Sequence, residues 1–252
     1  MKTKNCDYWI VRSFFVGVLL FAVYTMTSSA YADDARDSAQ LVAKARMTLE
    51  HFVTAPEMEA FRKVLKDAQG VFIAPQVLKA AFIFGASGGS GVFVARDQKT
   101  GTWAGPAFYT FGEASFGLQA GGQASEVILL AMTKRGVTAL LGNSAKLGVD
   151  IGVAVGPVGM GTAASTANLS ADIISFASSK GLFGGIAVDG AVVKVRNGLN
   201  EAYYHKTKVT PTNILIQRTG TNPQAENLTK EVAMAVEGKT WPKVGLNKEK
   251  PS

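Results

Sequence analysis

Between residues 35 and 53 the apolar positions recur at helical spacing. Val42, Ala45, Leu49 and Phe52 form one stripe, with Lys44, Arg46 and Glu50 off it, so this stretch is predicted to be an amphipathic helix. Thr54-Ala55-Pro56-Glu57 has the layout of a capping box: a hydroxyl for an early amide, a carboxylate that can reach back, and a proline where a missing N–H does no harm. The helix expected to follow carries Met58, Phe61, Leu65 and Ala68 on one face and is stopped by Gly70.

Past Gly70 the period shortens. Val71–Ala74, Ala81–Phe84, Val92–Arg96, Ala107–Phe111, Ser115–Gln123 and Val127–Met132 are short, β-rich runs separated by Gly or Pro. In one of them Phe116, Leu118 and Ala120 alternate with Gly117, Gln119 and Gly121, the pattern of a strand with one packed face and one thin face. Asp97-Gln98-Lys99-Thr100-Gly101 reads as a hairpin loop with Gly at a positive φ. Thr133 to Leu141 reads as a helix, and strands resume at Leu147–Val155, Asp172–Ala177, Leu182–Val188 and Ala191–Val195. Pro223 to Glu237 is a last helix, capped by Asn222 and stopped by Gly238.

Glycine sharpens the picture. Of 27 glycines, 21 lie between Gly85 and Gly190, which marks bulges, bends and close backbone approach within strands. Regular βα alternation is absent, which argues against a doubly wound fold. The expected class is α+β: a Gly-rich, strongly curved antiparallel sheet or barrel-like core, with two N-terminal helices and a C-terminal helix.

Residues 1–32 have a separate character. Lys2, Lys4 and Arg12 precede an apolar run from Phe14 to Val23, and the stretch closes on Ala30-Tyr31-Ala32. This is the three-part layout of a secretory signal peptide, and the apolar run is too short for a membrane-spanning helix. Export to the periplasm or the medium is expected, with peripheral membrane association open. Loss of the leader lowers the formal charge from +7 to +5 and removes the single cysteine, Cys6. No run of five or six basic residues remains, so nucleic acid is not expected as a partner.

Chemistry-bearing motifs are weak. Gly85-Ala86-Ser87-Gly88-Gly89 fits the G-x-S-x-G nucleophile elbow, and Asp172 or Asp189 followed by His205 could complete the chain order of a triad. However, Ser87 is followed by more glycine and another strand instead of the helix such an elbow needs. Gly238-Lys239-Thr240 echoes a phosphate-binding loop but closes a helix where a real one opens it. His51 and His205 have no second ligand at metal-binding spacing. No catalytic constellation, metal site or cofactor is therefore expected, and an enzyme is not.

The central blocks carry a resemblance. Val77-Leu78-Lys79-Ala80-Ala81-Phe82-Ile83-Phe84-Gly85, Gly101-Thr102-Trp103-Ala104-Gly105-Pro106-Ala107-Phe108-Tyr109 and Ser115-Phe116-Gly117-Leu118-Gln119-Ala120-Gly121 resemble, in that order, the SYLF-domain family. Lys146-Leu147-Gly148, Val155-Gly156-Pro157-Val158-Gly159, Ser179-Lys180-Gly181-Leu182-Phe183-Gly184-Gly185 and Tyr203-Tyr204 look like its later blocks, so the resemblance runs from about Ala68 to Tyr204. His205 stands where relatives commonly have Gly. The resemblance implies a lipid-binding module: eukaryotic members associate with phosphoinositide-bearing membranes, and some bind actin.

Joined to the residue pattern, this yields four expected segments: a signal peptide (1–32), an amphipathic helical segment packing on the domain (33–70), a SYLF-like β-rich domain (71–204) and a C-terminal extension with one helix (205–252). The expected function is an exported, non-enzymatic lipid-binding protein. Its expected partner is anionic phospholipid or a membrane surface; actin is not expected in that compartment, and protein partners are unspecified. An anionic headgroup needs cations beside an apolar surface, which nominates Lys44, Arg46, Lys63, Lys66, Lys79 and Lys180. The alternatives are an envelope structural or assembly protein acting by protein–protein contact and, more remotely, a serine hydrolase at Ser87.

Overall fold

A computed structural model describes residues 33–81, 84–116, 121–157 and 171–239. The expected signal peptide lies outside the described residues, as does the pattern of thin and packed positions at 117–120. Nine strands form one strongly curled sheet in the order β5-β9-β3-β2-β1-β4-β7-β6, with β8 paired to β7. The strands are β1 Gly70–Ala81, β2 Phe84–Arg96, β3 Trp103–Phe116, β4 Gly121–Ala131, β5 Ser144–Lys146, β6 Val153–Val155, β7 Ile173–Ser179, β8 Leu182–Gly185 and β9 Val192–Val195. All pairings are antiparallel except β6 with β7. The α+β expectation of a curved, Gly-rich sheet with helices at both ends matches the molecule, and the sheet is mixed through that one parallel pair.

Among the described residues, six α-helices accompany the sheet. They are α1 (33–54), α2 Glu59–Leu65, α3 Lys134–Leu141, α4 Asn197–Tyr204, α5 Pro211–Leu215 and α6 Pro223–Val236. Helix α1 buries Ser38, Val42, Ala45, Leu49 and Phe52, a spacing of alternating four and three residues that is the stripe read from the sequence. Phe52 meets Phe61 of α2 edge-on at 5.5 Å, and Phe61 meets Phe176 of β7 at 5.1 Å, so both helices seat on the same side of the sheet. The capping box at Thr54 is not formed. Thr54 is still helical and its hydroxyl donates to the Glu50 carbonyl, while Ala55 precedes a single 3-10 turn, Pro56–Met58, without a side-chain cap. At the far end Asn222 does cap α6, accepting from the Gln224 amide, and Gly238 ends it at φ +67°.

The strands are longer than the sequence pattern suggests, because β2 and β3 run straight through internal glycines and β1 continues past Pro75. Each of β1 to β4 has two zones. In the first zone consecutive residues are all buried (Val71 to Ala74, Val92 to Ala95, Val127 to Ala131), which requires cover on both faces of the sheet. Here glycine makes room for aromatic rings. A Cβ on Gly91 would run into the Phe72 ring and one on Gly70 into the Phe93 ring. In the second zone, beyond Pro75, the four strands continue together as a thinner sheet.

Pro75 marks the join. The register of β1 shifts by one residue between Ile73 and Gln76 against β2, and between Ala74 and Val77 against β4. A central strand cannot pair through a residue lacking an N–H, so the chain inserts one extra residue there as a bulge. Between Lys146 and Gly152 the expected strand is instead a tight turn, with Gly148 at φ +79° and the Lys146 amide bonded to Asp150 Oδ2 at 2.7 Å.

Candidate functional site

The bulge at Pro75 and Gln76 is overlaid by α1, and the space between them forms two adjoining cavities of about 420 and 290 Å³. The larger lies between the later turns of α1 (Lys44, Met47, His51), the start of the buried part of β4 (Ser125, Glu126) and the β7–β8 turn at Lys180-Gly181. The smaller continues along the earlier turns of α1 past Leu78 and Gly89 to Arg196. Lys44, Pro75 and Gln76 belong to both, so one groove follows the helix.

Polar bonds hold α1 in place along this groove. Glu126 Oε1 accepts from the Thr48 hydroxyl at 2.7 Å and Oε2 meets His51 Nδ1 at 2.7 Å. The His51 ring also lies 4.7 Å from the Phe183 ring of β8. On the opposite flank Arg46 forms a two-pronged ion pair with Glu231 of α6. That hydrogen bond raises the guanidinium pKa above its ordinary value, against the opposing effect of burial. At the far end of the groove, Arg196 donates to Ser90 Oγ at 2.8 Å, which ties the residue before α4 to β2.

The six cations nominated from the sequence are thereby sorted. Lys44 and Lys180 come together at the larger cavity, although 136 positions separate them in the chain, and neither has an ion-pair partner among the described residues. Arg46 is engaged with Glu231. Lys63 pairs with Glu59 one turn away at 2.8 Å, and it shares with Lys66 a different cavity, between α2 and the end of α6. Lys79 is exposed, and alternation along β1 places it on the sheet face opposite Gln76 and Leu78. The groove also contains residues that the sequence pattern did not single out: Gln76, Glu126 and Arg196. Only Pro75, a proline inside a β-rich run, was a signal for the bulge that creates it.

The serine-hydrolase alternative lacks its geometry. Ser87 sits mid-strand in β2, paired with Lys79 on one side and Glu113 on the other, so there is no strained strand-to-helix turn. Asp172 is occupied by Thr133 Oγ1 at 2.6 Å and by Arg135 at 3.6 Å. His205 ends α4 on another element, and no hydrogen bond among the described residues joins Ser87 to a histidine or carboxylate. Among the same residues there is no group of three His, Cys, Asp or Glu placed to hold a metal ion.

Among the described residues, a helix is laid across a bulged sheet beside a groove whose cations Lys44 and Lys180 have no ion-pair partner. Comparison with known proteins names the class: residues 112–235 match the Ysc84 family model, described as "Las17-binding protein actin regulator". This chain belongs to the Ysc84, or SYLF, family. It is 34% identical over 170 residues to Protein YSC84 of Saccharomyces cerevisiae, covering 66% of this chain and 36% of that protein. It is 32% identical over 167 residues to SH3 domain-containing YSC84-like protein 1 of Homo sapiens, covering 66% and 48% respectively. LAS seventeen-binding protein 3 of S. cerevisiae is 33% identical over 145 residues, or 56% of this chain and 31% of that protein. The matches thus span about a third to a half of these relatives. No solved structure matches the chain.

These relatives correct the partner expectation. Anionic phospholipid was expected, with actin not expected and protein partners unspecified, whereas the relatives' own names and the family description denote binding to a protein, Las17, and regulation of actin.

Proposed function

We propose that this chain is an exported, non-enzymatic interaction module of the SYLF family whose partner is a protein. The observation that carries the reading is the family match over 112–235, whose description and relatives are those of protein-binding regulators. Two features support it. The groove beside α1 offers unpaired Lys44 and Lys180 next to exposed apolar side chains. Ser87, the one candidate nucleophile, is a mid-strand residue. Export rests on the leader pattern at residues 1–32.

Co-sedimentation tests the partner class. The purified protein is spun with actin filaments and, in a parallel arm, with vesicles of anionic phospholipid. Pelleting with the filaments, and not with the anionic vesicles, is the expected result. Pelleting with anionic vesicles alone, with no protein captured, overturns the reading. Export is read separately: N-terminal sequencing of the protein from the cell exterior or periplasm should begin at Asp33, and an intact Met1 in the cytoplasmic fraction removes that part.

A further inference from the structure

We propose that the groove between α1 and the bulged sheet is the docking site for an extended, acidic protein segment that also carries apolar side chains. This rests on the reading of the chain as a protein-binding module and names its surface and the chemistry of its partner.

Charge sets the sign. Along the groove stand Lys44, Lys180 and Arg196, against the carboxylates Asp37 and Glu126. Glu126 is already committed to Thr48 and His51, so its charge is turned to the helix and away from a visitor. Lys44 and Lys180 have no carboxylate partner among the described residues, and both line the larger cavity, Lys44 from α1 and Lys180 from the β7–β8 turn. A partner with Asp or Glu side chains meets both without displacing an existing pair.

Apolar surface sets the second requirement. Met47 is 69% exposed and Leu78 is 56% exposed, one in each cavity, and Leu182, 78% exposed, is next in the chain to Gly181 of the larger one. Large apolar side chains this open, spaced along one concavity, offer anchoring points between the cations.

Shape and lining decide for a peptide chain over a bilayer or a globular face. The cavities follow α1 from Asp37 to His51, about 21 Å at the rise of a helix, which about six residues of extended chain would span. The groove is concave, and Gln76 and Ser125 supply side-chain donors and acceptors for a peptide backbone. A flat bilayer surface reaches its rim but not its floor.

The probe is a short synthetic peptide of alternating Glu and Leu, labelled with a fluorophore and titrated with the purified protein at low salt. Control peptides have Lys in place of Glu, or Ser in place of Leu. The Glu/Leu peptide is expected to bind, the Lys/Leu peptide not at all, and the Glu/Ser peptide at least tenfold more weakly. Lys44→Glu and Lys180→Glu should each weaken binding about tenfold, a loss typical of reversing a charge at an interface. Lys194→Glu, an exposed change on β9 away from the groove, should not, and circular dichroism checks that all three variants keep the fold. Equal effects of Lys194→Glu and Lys44→Glu, or equal affinity for the Lys/Leu peptide, overturn the proposal. So does failure of the peptide to bind while co-sedimentation with a protein partner survives the Lys44→Glu, Lys180→Glu double change; that result moves the interaction elsewhere and leaves the module reading intact. Loss of all protein binding by the unaltered protein removes both.

Discussion

Arg46 on α1 and Glu231 on α6 are 185 residues apart in the chain and joined by two parallel hydrogen bonds, Nε to Oε2 at 2.8 Å and Nη2 to Oε1. A fork-to-fork pair of this kind fixes orientation as well as charge. It clips the first described helix to the last one, beside the apolar stripe that seats α1 on the body. A cation that seemed free for an external anion is thus part of the scaffold.

Arg46→Ala and Glu231→Ala should each lower stability by about 1 kcal/mol, the upper range for a partly exposed pair with good geometry. The double change should cost less than the sum, and Arg46→Lys should not restore the loss because an ammonium cannot form the fork. Urea unfolding of the four proteins measures the coupling; additive effects would show the pair to be energetically idle.

Neighbouring glycines should respond differently to the same substitution. A Cβ on Gly89 would run into the Gln76 carbonyl at the β1 bulge, whereas one on Gly88 has the Phe111 carbonyl as its nearest neighbour at 3.7 Å. Gly89→Ala is expected to cost about 2 to 3 kcal/mol through forced backbone movement. Gly88→Ala should be neutral or stabilising by a few tenths, about what reduced freedom of the unfolded chain supplies. Thermal unfolding of the two variants decides whether the glycines serve close approach or merely flexibility.

The two adjacent tyrosines at the end of α4 form a second contrast. Tyr204 donates its hydroxyl to the Pro106 carbonyl at 2.8 Å, while the buried Tyr203 hydroxyl has no hydrogen-bond partner among the described residues. Tyr204→Phe should cost about 1 kcal/mol and leave a carbonyl unsatisfied; Tyr203→Phe should be neutral or stabilising, since it removes an unpaired buried polar group. Denaturant midpoints compare them directly.

Alkaline pH should act on the same residues. Burial pushes the phenol pKa values of Tyr109, Tyr203 and Tyr204 up, with the Tyr203 charge adding to the effect on Tyr204. The folded protein therefore holds these protons more tightly than the unfolded chain does. The resulting stability is intact below the ordinary phenol value of about 10 and is lost as pH rises above it. Ultraviolet difference absorbance of the chain lacking residues 1–32 should show phenolate appearing together with unfolding. Phenolate forming ahead of it, with the fold intact, would contradict the burial.

His205 is the C-cap of α4 in the left-handed region, at φ 50° and ψ 40°. Glycine takes this conformation without the Cβ penalty. His205→Gly should stabilise the protein by about 1 kcal/mol, and an unchanged or lowered unfolding midpoint would show that the imidazole compensates through contacts of its own.

Local rules explain what was legible in the residues. The stripe Val42, Ala45, Leu49, Phe52 specifies a helix face because 3.6-residue periodicity is a property of the segment alone. The turn ending at Gly101, at φ +72°, and the cap at Asn222 are equally local. The glycine density pointed to a curved sheet, and its individual members make room for Phe72 and Phe93 as a curved, aromatic-packed sheet requires. Where local cues misled, tertiary pairing outweighed them. Glycines inside β2 and β3 are carried through by ladders on both sides, and Thr54 extended its helix instead of capping the next.

By itself, the sequence of this protein determined the class of fold, the places of α1, α2, α3 and α6, and membership of a binding family, because each depends on patterns within short windows or on blocks in order. Only the tertiary structure decided which cations act together. Lys44 and Lys180 meet across a groove because a one-residue bulge at Pro75 bends the sheet beneath α1, whereas Arg46, two residues from Lys44, turns to the other side of the same helix and pairs with Glu231. Residues two apart on a helix point about 160° away from each other, so which one faces the groove depends on where the helix is laid down. That placement is set by long-range packing, which no short window of sequence contains.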